Sequence, residues 1–247
     1  MSQSTRQTEA IHYWYQRPSA QEALANIQVE LDNILPTCFG YHLVQVADLE
    51  FLACYESSKI NHRVRSQPSG DVLAESEHLP FDSDSVDVLI ALHSLDTSNN
   101  PHQVLREIQR VLAPQGHLLL LGLNPSSVGL LRSLFNRLPW RSHASPEAVL
   151  SAQRLNDWFR LLGLERASVR YFAHLPYPQT ASRWSRVLRS WTHWLEAHRM
   201  PGGRLYLIRA VKQVSAIHRP QLTRFRPRLR SIGLGKSVVT SRQTKEY

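Results

Sequence analysis

Three loops of this chain hold side chains that can accept hydrogen bonds or exchange a proton. Asp48 and Glu50 follow an apolar stretch, His42 to Ala47. Glu75, Ser76 and Glu77 follow Ala74, and His93 follows the run VDVLIAL, Val86 to Leu92. A carboxylate can receive several donors at once, and an imidazole can hold or release a proton near neutral pH. Each residue also has a plainer reading: loop acids are commonly solvated, and a histidine beyond a strand is commonly a satisfied core or rim residue. The 12 histidines have no spacing that converges on a metal, and the two cysteines, Cys38 and Cys54, are too few for a disulfide scaffold or a four-cysteine zinc site. No metal is expected. Neither a Ser-His-Asp arrangement nor a phosphate-binding loop is present, so hydrolase and nucleotidase readings lack support.

The elements that must hold these loops alternate between strand and helix. Ser19 and Glu22 form an S-x-x-E pattern, and Leu24, Ile27, Leu31 and Leu35 then recur at helical spacing until Pro36. A strand over His42–Ala47 follows the Phe39-Gly40 turn. Leu49, Phe51 and Leu52 suggest local helix, His62 to Arg65 a weak strand, and Asp71–Ala74 another. Val86–Leu92 is apolar almost throughout, as expected of a strand covered on both faces. Asn100 and Pro101 predict an N-cap and first helical position. Val104, Leu105, Ile108, Val111 and Leu112 line that helix, which Pro114-Gln115-Gly116 should end before a second buried strand, His117–Leu123. Further on, a helix start at Ser145-Pro146-Glu147 leads through Leu155, Trp158, Phe159 and Leu162 to a C-cap at Gly163. A strand over 165–175, a helix over 181–199 and a strand over Arg204–Val211 complete the pattern. The order predicts an α/β fold: a Rossmann-like open, mostly parallel sheet with helices on both faces. Ligands in such sheets bind beyond the carboxyl ends of the strands, where the loops after Ala47, Ala74 and Leu92 lie.

The formal net charge of +9 is a mean over opposites. Residues 1–130 hold 7 basic and 15 acidic side chains, residues 131–211 hold 13 and 4, and residues 212–247 hold 9 and 1. The first segment is therefore −8, the second +9 and the third +8. Residues 212–247, with isolated arginines and little periodicity, are expected to be a disordered basic tail beyond a domain over 1–211. The basic half offers RNA or an anionic membrane surface as partners through residues 131–247. Trp184, Trp191 and Trp194, with Arg183, Arg186 and Arg189 close by, suit an interfacial helix or a lid, but also an ordinary helix packed on the sheet. With no secretory h-region and no apolar run of bilayer length, a cytoplasmic location is expected.

EHLPFDSDSVDVLIALHSLD, followed by PHQVLREIQRVLAPQGHLLLLGLNP, resembles the central block of class I S-adenosylmethionine-dependent methyltransferases, most closely the bacterial type 11 branch. The similarity is strongest over residues 71–125 and extends more weakly over 14–211. The resemblance implies S-adenosyl-L-methionine as cofactor and an unidentified methyl acceptor. It places Glu75 where the family holds the adenine amine, with Ser76 and Glu77 flanking the base. Ala47 and Asp48 would border the methionine part, and His93 and Asn124 would face the acceptor as catalytic residues. One feature departs from the family. The first strand there ends in a Gly-x-Gly loop, whereas Val44 to Glu50 contain no glycine. Non-glycine residues in a left-handed backbone cost on the order of 1–3 kcal/mol each, and two such losses could weaken binding about 100-fold. An acidic ribose partner after the second strand is also missing, since His62-Arg63-Val64-Arg65 offers none. The alternative is therefore a non-catalytic protein of this fold that binds RNA or an anionic surface through its basic half.

Overall fold

The computed structural model describes residues 3–51, 53–125, 127, 150–174 and 202–213. Six strands form one sheet in the order β2-β1-β3-β4-β6-β5. They are β1 His42–Val46, β2 His62–Ser66, β3 Val86–Leu92, β4 Leu112–Leu123, β5 Leu164–Phe172 and β6 Leu205–Lys212. β2, β1, β3 and β4 run parallel, while β6 is antiparallel to both β4 and β5. The predicted mostly parallel, open sheet is therefore the observed one. Strand order reverses between β1 and β3, where the carboxyl ends of neighbouring strands leave a crevice.

Helices α1 (Gln3–Tyr15) and α2 (Pro18–Ile34) cover one face of the sheet, and α4 (Pro101–Val111) and α5 (Ala152–Leu161) the other. α3 is a single turn, Ser94–Thr97, between β3 and α4. Ile11, Trp14, Ile27 and Leu31 pack on Leu43, Val88 and Ile90 on the first face. Val104, Leu105, Ile108, Leu155 and Phe159 pack on Leu89, Leu118 and Ile208 on the second. β3 and β4 are apolar on both sides because both of their faces meet helices.

Several local expectations are corrected. α1 carries its apolar side chains only in its C-terminal half, so its opening QSTRQTE gives no periodic signal. α2 begins at Pro18 with Arg17 as N-cap and no side-chain cap, so Ser19 lies inside the first turn and Glu22 just beyond it. Proline at N1 supplies the fixed φ that starts a helix, which removes the need for a capping box. The segment 48–61 holds no helix, and of Asp71–Ala74 only Val72 makes a strand bridge, to Ser66. α4 starts at Asn100 as predicted, the side chain accepting Gln103 N–H. It ends at Val111, ahead of Pro114, because its last carbonyls are taken by other groups. Asp84 and Ser85 N–H bond to Arg110 and Val111 O, and Lys212 Nζ donates to Gln109 and Leu112 O. α5 is capped by Ser151, whose side chain accepts Arg154 N–H; the predicted start at 145–147 lies outside the described residues. Gly163 ends it with φ 70°, as expected of a C-cap glycine. The predicted helix over 181–199 and the tail over 212–247, apart from Lys212 and Gln213, also lie outside the described residues. Among the described residues no helix is long and apolar enough to cross a membrane.

Candidate functional site

A cleft of about 640 Å³ opens beyond the carboxyl ends of β1 and β3. Ala47 and Asp48 form its floor, 73–77 one wall, Thr97 to Asn99 the other, and Thr8 and Glu9 of α1 its rim. All five residues expected to bind a cofactor (Ala47, Asp48, Glu75, Ser76 and Glu77) thus line one cavity. Among the described residues no lysine or arginine does, although the chain as a whole is +9.

Asp48 ties the walls together. One carboxylate oxygen accepts the Ser76 hydroxyl at 2.7 Å, and the other the Thr97 hydroxyl at 2.5 Å. Glu77 does similar work higher up, accepting the Ser98 hydroxyl at 2.5 Å and the Asn100 N–H at 3.0 Å. Both carboxylates are therefore engaged in holding the cleft's shape. Glu75 is exposed, and its carboxylate has no partner among the described residues.

The glycine-free loop takes a path that needs no glycine. Among the described residues the non-glycines with positive φ are Asp84, His93, Gln115 and Ala173, none of them in 47–55. The expected backbone strain in this loop is therefore not present. Ala47 N–H bonds to Ser66 O at 3.0 Å, and beyond Asp48 the loop turns away from the cleft. Leu49 and Phe51 pack into the core beside Tyr15. Two amide side chains hold it there, one in β1 and one just beyond β2. Gln45, wholly buried in β1, accepts Cys54 N–H at 2.9 Å, and Gln67 donates to Phe51 O at 3.1 Å. Gln45 was visible in the sequence as a lone amide within an apolar strand; that was the signal for a side chain serving the loop.

The two residues expected to face an acceptor do not line the cleft. Asn124 is buried, donating from its side chain to Gly203 O at 2.8 Å and from its backbone N–H to Arg204 O at 2.8 Å. It joins the end of β4 to the start of β6. His93 is 0% exposed and sits at φ 56°, ψ 11°. Its Nδ1 lies 2.7 Å from Asp96 Oδ2 and its Nε2 2.6 Å from the Tyr15 hydroxyl. The Phe51 ring lies nearly parallel to the imidazole at 6.1 Å. Burial, with the nearby Asp96 charge adding to it, raises the Tyr15 phenol well above its ordinary pKa. Among the described residues no group of three or more His, Cys, Asp and Glu stands where it could hold a metal.

The Leu-Pro-Phe segment is held by α4. Arg110 donates to Leu79 O at 3.0 Å and Phe81 O at 2.9 Å, and also grips Glu107 at 2.9 Å. The Arg110 bond holds the Glu107 carboxyl below its ordinary pKa. A depressed carboxyl pKa adds stability that is present above the unfolded-state value and lost as pH falls through the folded one. Glu107→Gln is therefore expected to lower the melting temperature at neutral pH. Its difference from the parent should vanish in melts below the ordinary carboxylate range.

Residues 45–120 match a family model described as a methyltransferase domain, less than a third of the 247-residue chain. The chain is 34% identical over 144 residues to the uncharacterized protein YafS of Escherichia coli strain K12. That overlap takes in 56% of this chain and 59% of that one, so the chain spans little more than half of its relative's length. Among solved structures, a chain of a complex containing a methyltransferase activator from Haloferax volcanii superposes with a TM-score of 0.52 at 17% identity. It covers 84% of this chain and 97% of that chain. A SAM-dependent methyltransferase from Archaeoglobus fulgidus gives 0.51 at 14%, covering 76% of this chain and 94% of its own. The strand order and these superpositions define a class I methyltransferase fold.

Proposed function

We propose that the chain is an S-adenosylmethionine-dependent methyltransferase whose cofactor lies in the cleft between β1 and β3. The observation that carries this reading is the cleft itself: open beside Ala47 and Glu75, rimmed by carboxylates and, among the described residues, without a basic side chain. The chemistry of the lining fits a ligand that bears a sulfonium cation, an amine and ribose hydroxyls, all of which seek acceptors or negative charge. A ligand with several phosphates would meet repulsion there. The small side chains of Ala47 and Ala74 leave room for the ligand, and of the described residues of loop 47–55 Ala47 and Asp48 alone line the cleft.

When bound, the cofactor would supply an electrophilic methyl group to the acceptor. The protein's part is to bind, orient and exclude water. Glu75, exposed in the lining, would accept the adenine amine. Asp48, through Ser76 and Thr97, fixes the separation of the two walls. Glu77 holds the turn that starts α4. Glu9 adds negative charge at the rim from α1.

Titration calorimetry with S-adenosylmethionine and its demethylated product tests this reading. One binding site is expected, and Glu75→Ala should weaken it about 3- to 10-fold, the worth of one hydrogen bond. Absence of heat at millimolar ligand would overturn it. The reading of a basic RNA- or membrane-binding half rests on 131–247, most of which lies outside the described residues, and no observation favours it. In either case a polyanion is repelled by the acidic cleft, so the C-terminal half is the side to test for such a partner.

A further inference from the structure

The cleft lies beyond the carboxyl ends of the strands; the amino ends bring together two histidines 20 residues apart in the chain. His42 opens β1 and His62 opens β2, and the parallel register pairs them directly. Neighbouring strands run about 4.8 Å apart, so side chains at paired positions on one face must meet. The imidazole centroids stand 4.8 Å apart with the rings at 88°, and the two Nδ1 atoms are 2.9 Å from each other. Each strand start is pinned separately. Asp87 accepts the Tyr41 and His42 N–H at 2.7 and 2.9 Å. Arg63 donates to Ser58 O and Ile60 O, both at 2.7 Å. Both histidines and the preceding Tyr41 are exposed, so the pair is open to solvent.

We propose that His42 and His62 form a two-imidazole site for a divalent copper or nickel ion. Imidazole nitrogens bind such metals at about 2.0–2.1 Å, which sets two nitrogens about 2.8–3.0 Å apart at a right angle and about 3.3–3.4 Å apart at the tetrahedral angle. The observed 2.9 Å matches the right angle. That is the angle of tetragonal sites, which suit Cu2+ and Ni2+ rather than Zn2+. In the hydrogen-bonded pair one Nδ1 carries the proton that the other receives. On binding, that proton moves through solvent to Nε2 of the same ring, so both Nδ1 lone pairs serve the metal and no net proton is released. Each ring must tilt by roughly 45° to aim its lone pair at the shared point, a turn that the soft χ2 of an exposed histidine permits. The Asp87 carboxylate, bonded to the His42 N–H, adds negative charge close to the ion. Two protein ligands make an open site, with water in the remaining positions.

Cu2+ added in substoichiometric amounts to the nitrogen-15-labelled full chain should broaden the amide signals of residues 41–43 and 61–63 first. The paramagnetic resonance spectrum of the copper complex should be tetragonal with coupling to two nitrogens, and His62→Gln should reduce that coupling to one. Loss of an outer partner of a metal ligand alone costs about 10- to 100-fold in affinity, so His42→Gln and His62→Gln should each weaken Cu2+ by at least about 10-fold. The double variant should lose little more than either single one, because the site needs both rings. Losses that add, as independent surface histidines would give, overturn the proposal. So does broadening that begins at other histidines, or an affinity unchanged by either substitution. Both side chains are exposed, so the variants are expected to melt with the parent. Should one misfold, the other decides through the same titration. Neither S-adenosylmethionine nor a methyl acceptor enters these measurements, so their outcome is independent of the methyltransferase reading.

Discussion

Asp96→Ala is expected to lower the melting temperature by roughly 6–20 °C, the effect of about 3–5 kcal/mol in a domain of this size. The carboxylate is buried and receives two donors, Leu123 N–H and His93 Nδ1–H. Removing it leaves both inside the protein without a partner, at about 1–3 kcal/mol each, and opens a small void. Asp96→Asn should fall by much less, because its carbonyl oxygen can still receive Leu123 N–H. Thermal melts of the two variants beside the parent check this. Equal losses would show that the lost charge dominates, and neither the void nor the stranded Leu123 N–H.

The second large effect is expected at Asp48. Its two oxygens join Ser76 and Thr97 across the floor of the cleft. Hydrogen bonds to a charged group are worth about 1.5–3 kcal/mol each, and here both neighbours belong to walls that a ligand must find in place. Asp48→Ala should destabilise the fold by about 2–4 kcal/mol. It should also weaken S-adenosylmethionine about 30- to 100-fold, since the walls must be reassembled on binding at a cost of about 2 kcal/mol or more. Calorimetry on the folded variant measures the second figure apart from the first. Unchanged affinity would mean that the walls are held by their own chains and that Asp48 serves stability alone.

The segments legible in the sequence are those whose surroundings are uniform. Val86–Leu92 and His117–Leu123 meet helices on both faces, so their continuous apolar runs had one interpretation. Asn100-Pro101 starts α4 through its own side chain and ring. Elements whose ends are set by distant groups were misjudged. α4 stops at Val111 because Asp84, Ser85 and Lys212 take its last carbonyls, and those residues come from the turn before β3 and from the end of β6. α1 escaped notice because its polar opening turns conceal that Trp14 and Tyr15 enter the core.

The site divides in the same way. Asp48, Glu75, Ser76 and Glu77 were legible because each lies immediately beyond a strand or its continuation, and in an open parallel sheet those positions converge on one crevice. The sequence by itself determined the sheet, its helices on both faces, the acidic character of the loops above β1 and β2, and the absence of glycine from the first of them. Tertiary structure alone decided what that absence means: the loop needs no left-handed backbone, because Gln45 and Gln67 draw it into the core and leave the cleft open. It alone also decided that His93 is sealed between Asp96 and Tyr15. Hydrogen bonds between residues as distant in sequence as 15 and 93 depend on how helix and sheet pack, and no local spacing records them.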